Sequence, residues 1–216
     1  MGRSSRGCLV GVGLAVLLVT CVPTPSSAVR PLPALPITFV VGRIEGRAIV
    51  DDAWIDAQVE MANRVYHPHG LAFVRAGRRA LLRPAVVRST ADRDALAREA
   101  ERGVINAFVV EHLGDAADPD DAIGGRHWRA RGRQYVIVAR ECWRDTLAHE
   151  IGHFLGHRGH SDVIGNLMSY LRVLPVSRLT DAQASAMRRA ARRYLRTGEL
   201  RAGARGATRS PRRQIV

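Results

Sequence analysis

The chain has 216 residues, 46% of them hydrophobic, and a formal charge of +13. That length and apolar content fit one folded domain with processed or flexible ends. The charge is not a nucleic-acid surface on the domain: all basic residues are arginine, ten of them fall from Arg188 onward against Glu199 alone, and residues 29–187 are close to neutral. Beyond Arg196 no aromatic residues interleave with the arginines of the tail, so a stacking platform for single strands is missing there.

Taken in chain order, residues 1–28 have the layout of a secretory signal peptide. MGRSSRG supplies Arg3 and Arg6, CLVGVGLAVLLVTCV is an uncharged apolar run, and Ser26 and Ala28 precede the expected cut. The expected mature protein is therefore secreted or extracytoplasmic, with no transmembrane span. A lipid anchor through Cys21 is the alternative, since LVTC resembles a bacterial lipoprotein signal. Cleavage leaves Cys142 as the single cysteine, so no internal disulfide is expected, and Cys142 reads as a small apolar residue at a strand end.

Residues 29–36, with PLPALP, read as a short extended linker, and 37–196 as the folded domain. ITFVVGRI (37–44) is β-branched and reads as a strand, whereas DDAWIDAQVEMANRVY (51–66) places Trp54, Ile55, Val59, Ala62 and Tyr66 near helical spacing. HPHG closes that helix and LAFVRA (71–76) is a second strand. A helix over 90–103 and strands over 104–114 and 133–140 follow. Between the last two lies GDAADPDDAIGG (114–125), whose aspartates offer oxygen ligands that calcium would accept, and then GGRHWRA (124–130), a candidate edge strand. LTDAQASAMRRAARRYL (179–195) is a helix with Thr180 and Gln183 as a capping box, and 197–216 reads as a basic, disordered tail. Alternating strands and helices of this kind pack as a twisted mixed sheet carrying helices, an α+β domain.

The chemistry concentrates in HEIGHFLGHRGHSDVIGNLMSY, residues 149–170. On a helix, residues four apart point the same way about 6 Å apart along the axis. His149 and His153 can therefore offer two imidazole nitrogens to one zinc ion, with Glu150 beside them as general base for an attacking water. Gly156 marks a sharp exit from the helix.

With NLMSY downstream, this stretch resembles the metzincin superfamily of zinc endopeptidases, and its matrixin-type bacterial members in particular. The resemblance implies a metzincin-like zincin domain with an active-site helix, a Met-turn and a C-terminal helix. It implies that Met168 forms an apolar floor beneath the metal and that Tyr170 hydrogen-bonds or ligates near it. It also implies a protein or peptide substrate, paired by its backbone to the edge strand. A monomer is expected, and the location of the charge argues against a specific nucleic-acid partner. The spacing departs from the family pattern, because the tenth residue after His149 is Gly159, which has no ligand atom. His160, one residue late, is favoured as the third ligand, with His157 and Asp162 as alternatives. A zinc-containing binding protein on the same fold is the competing reading of the whole chain.

Overall fold

The structure, a computed structural model, describes residues 30–115, 118, 121–171 and 177–203. The expected signal peptide, Cys21 and the tail beyond residue 203 lie outside the described residues. Five strands form the main sheet: β1 (Leu35–Val41), β2 (Phe73–Ala80), β3 (Ile105–Val110), β4 (Gly125–Ala130) and β5 (Arg133–Ala139). Their order is β2-β1-β3-β5-β4. The first four in that order run parallel, and β4 alone is antiparallel, closing the sheet at one edge.

Both faces of the central strands are covered, which is why they read as near-continuous apolar runs. Side chains alternate across the sheet: Leu35, Ile37, Phe39, Ile105, Ala107, Val109, Val136 and Val138 join one core, while Val40, Phe108, Val110, Tyr135 and Ile137 join the other. The larger core is closed by helices α1 (Asp52–Tyr66), α3 (Thr146–Phe154) and α4 (Asp181–Thr197). On the opposite face lies α2 (Thr90–Leu96), which contributes Leu96. Among the described residues, no helix is long and apolar enough to cross a membrane.

Several boundaries differ from the sequence expectation, each for a local reason. β1 begins at Leu35, inside the expected linker, because Leu35 is fully buried and its N–H donates to the carbonyl of Ala72. β2 runs four residues past the apolar stretch, its Arg78 and Arg79 held by Asp52 and Glu101. The helix expected over 90–103 ends at Leu96 and tightens into a 3-10 turn over Ala97–Glu99. Residues 198–203 are docked rather than loose: Leu200 is buried, Arg201 N–H donates to Gly103, and Gly203 N–H donates to Ala34.

Two buried tyrosines position α3. The hydroxyl of Tyr66 on α1 donates to the carbonyl of Ala148 at 3.0 Å, and that of Tyr194 on α4 donates to Phe154 at 3.2 Å. α3 thereby lies under β4 and β5 with both ends fixed by neighbouring helices.

Candidate metal centre and cleft

α3 carries TLAHEIGHF, and one of its faces opens on a cleft whose far wall is β4. The helix ends in a two-bond turn in which Gly156 N–H donates to His153 and His157 N–H donates to Gly152. This closure requires a left-handed residue, and Gly156 supplies it at φ 90°. Gly159 is also left-handed, at φ 76°, so the chain folds back and delivers His160 to the helix.

Three imidazoles converge there. The Nε2 atoms of His149 and His153 are 3.1 Å apart, and each is 3.3 Å from Nε2 of His160. The other ring nitrogens face carbonyl oxygens: Nδ1 of His149 lies 2.6 Å from Leu167 O, and Nδ1 of His153 lies 3.0 Å from His157 O. A carbonyl can only accept, so these two Nδ1 atoms carry the protons and donate. Nε2 of His149 and of His153 are then both lone pairs, which cannot hydrogen-bond one another. Nitrogens each about 2.0–2.1 Å from a tetrahedral ion stand roughly 3.3 Å apart, so the donor set fits a metal such as zinc. Burial also holds His153 below its ordinary pKa, which keeps the ring neutral and able to ligate.

Among the described residues these three form the one group of histidine, cysteine and acid side chains placed to share an ion. The structure brings His149, His153 and His160 together and leaves two other candidates out. His157 contributes its backbone carbonyl, while its ring stands 6.4 Å from that of His153. Asp162 is exposed and outside the cluster. In the loop considered for calcium, Asp115 is ion-paired with Arg126 at 3.0 Å and joins no such cluster among the described residues.

Glu150 is buried beside the histidines and lines the cleft. Its room comes from Gly125 on β4, where an added Cβ would meet Glu150 Cγ at 2.9 Å and Oε1 at 3.0 Å. The Gly124-Gly125 pair signals in the sequence that another group approaches closely, but not which one. Met168 is fully buried under α3 against Gly152. Its turn is held by Asn166, whose side chain accepts from Met168 N–H at 2.8 Å and exchanges two bonds with Gln183 of the α4 capping box. Tyr170 is 74% exposed and stacks its ring on His160, with centroids 3.8 Å apart. His127, on β4 in the cleft wall, packs on Phe154 and is pushed down to about 4, by burial first and by Arg129 second.

No protein-family model matches the chain, and no curated protein matches it by sequence. Solved structures do match in fold. Metalloproteinase-II from Bacteroides fragilis aligns with a TM-score of 0.54 at 14% identity, over 77% of this chain and 55% of its own. A promirolysin mutant from Tannerella forsythia aligns with a TM-score of 0.52 at 13% identity, over 78% of this chain and 83% of its own. A chain of a chaperone-substrate complex aligns with a TM-score of 0.52 at 15% identity, over 74% of this chain and 34% of its own. This chain thus spans about half the length of the Bacteroides protein. The mixed sheet with its helices is a metalloproteinase-like fold, and at these identities the likeness is one of fold alone.

Proposed function

We propose that this protein is an exported zinc-dependent endopeptidase of the metzincin type, in its matrixin-like bacterial branch, acting on protein or peptide substrates as a monomer. The observation that carries this reading is the convergence of three histidine Nε2 atoms beside the buried carboxylate of Glu150, in a cleft walled by an edge strand. A structural metal site needs no base at that position.

His149, His153 and His160 would hold the ion. Zinc bound there supplies Lewis acidity and makes water a nucleophile near pH 7. Glu150 accepts the proton of the attacking water and returns it to the leaving amine. The open edge of β4 holds an extended peptide by backbone pairing, which brings its carbonyl over Glu150. Tyr170 steadies the exposed His160 by stacking and presents its hydroxyl at the cleft, where the reacting carbonyl develops charge.

The test is proteolysis of an unfolded protein by the purified full chain, with zinc measured by mass spectrometry. Chelator is expected to abolish cleavage and zinc to restore it, while Glu150→Gln retains about one zinc per chain without turnover. His160→Ala is expected to lose the metal and His157→Ala to keep it. Folded, zinc-loaded protein that cleaves nothing would leave a metal-binding protein on this fold.

A further inference from the structure

We propose that one end of the cleft selects acidic peptide segments, through Arg129, Arg158 and Arg193. This rests on the peptidase reading and adds the substrate class.

The three arginines come from three elements that meet at Phe154. Along β4, alternate residues face α3: Gly125 against Glu150, then His127 against the Phe154 ring, then Arg129. The Phe154 carbonyl accepts from Tyr194 of α4, whose ring underlies the Arg193 guanidinium at 5.0 Å. Two residues past Phe154, α3 turns back at Gly156, and Arg158 follows on the loop that carries His160.

All three side chains line the cleft, are exposed, and make no ion pair among the described residues. On β2, by contrast, Arg75, Arg78 and Arg79 are each paired with carboxylates. The acid at this end of the cleft, Glu199, is held by the amide of Gln134. Unpaired guanidiniums offer forked donors that match a carboxylate. Exposed pairs are individually weak, so the selectivity is modest and salt-sensitive. Arg129 lies four residues along β4 from Gly125, roughly 13 Å in an extended strand. The favoured acidic side chain therefore stands three or four residues from the bond cleaved, on one side of it.

The experiment uses zinc-loaded full chain and quenched fluorescent peptides differing by Glu, Gln or Arg at single positions. Glu three or four residues from the cleaved bond should raise kcat/KM about three- to tenfold over Gln. The advantage should disappear in about 0.5 M salt. Arg158→Glu/Arg193→Glu should reverse the order toward Arg peptides, with Arg158→Gln/Arg193→Gln as the milder pair and thermal melts checking both folds. A second arm measures fluorescence anisotropy of the same labelled peptides on Glu150→Gln, which reads preference without turnover. Equal rates and equal binding for Glu and Gln peptides, or a preference unchanged in both double variants, would overturn the proposal. Preferential acidic binding with no cleavage of any protein by the wild type would instead remove the peptidase reading and keep the selective surface.

Discussion

Gly152 and Met168 meet so closely that no side chain fits at position 152: a Cβ there would stand 2.5 Å from Met168 Sδ and 3.2 Å from Met187 Cε. The helix carrying two of the histidines thus rests on the methionine through bare backbone. Gly152→Ala gains helix propensity but overpacks this contact, and is expected to destabilise the chain by about 1–3 kcal/mol. Adding Met168→Ala should relieve the clash, so the double variant should be more stable than additivity predicts. Denaturant melts of the four proteins measure the coupling.

A second glycine sets the position of the carboxylate. Gly125→Ala would press on Glu150 and on Thr146, whose Cγ2 would lie 2.6 Å from the new carbon. Zinc content should stay near one per chain while kcat falls by about tenfold or more, as the displaced base loses its line to the reacting atoms. Loss of zinc together with activity would show that Gly125 supports the histidines rather than Glu150.

The stack of Tyr170 on His160 separates two roles for one side chain. Tyr170→Phe preserves the ring and removes the hydroxyl, so zinc affinity should hold while kcat falls. Tyr170→Ala removes both and should weaken zinc as well, since His160 is the exposed member of the triad. Competition with a chromogenic chelator reads the affinities.

The acid side of the stability profile should report His127. Its folded value of about 4 lies below the ordinary 6.5, so the unfolded chain binds the extra proton first as pH falls. The contribution is fully present above about pH 6.5 and is lost progressively toward pH 4. Melts of chelated protein across that window should show His127→Gln losing less stability than the wild type. Burial shifts His153 and His157 in the same direction, so some loss should persist in the variant.

Arg188 is a buried tie. Its guanidinium donates to the carbonyls of Arg30, His69 and Gly70, each at 2.8 Å. Arg188→Met would strand those acceptors and is expected to cost about 2–4 kcal/mol in chemical denaturation. Exposed Arg192→Met on the same helix should cost less than about 0.5 kcal/mol.

Arg188 also marks a limit of reading the chain as a string. The sequence places it on the last helix, within the basic excess, and does not show its burial, because burial of a guanidinium depends on carbonyls supplied from elsewhere in the fold. Leu200 and Gly203 escaped for the same reason: their partners, Gly103 before β3 and Ala34 before β1, are distant in sequence. What was legible was local. β-branched runs gave the central strands, Thr180 and Gln183 gave the start of α4, and His149 and His153 stand together because helical geometry alone puts them there. The third imidazole was not fixed by spacing, since the left-handed turns at Gly156 and Gly159 decide where the loop reaches. His157 enters the sequence reading as an alternative ligand through its ring, yet what it supplies is its carbonyl, which fixes the tautomer of His153.

Those two glycine turns absorb the one surplus residue between the helix and His160. A rule that counts residues from His149 stops on Gly159 and finds nothing there to hold a cation. A rule that asks which nitrogens lie within one ion's reach finds the triad at once. In this chain the turns of the loop, rather than its residue count, bring the third nitrogen to the other two, and sites of this kind are better sought by distance in space than by pattern along the chain.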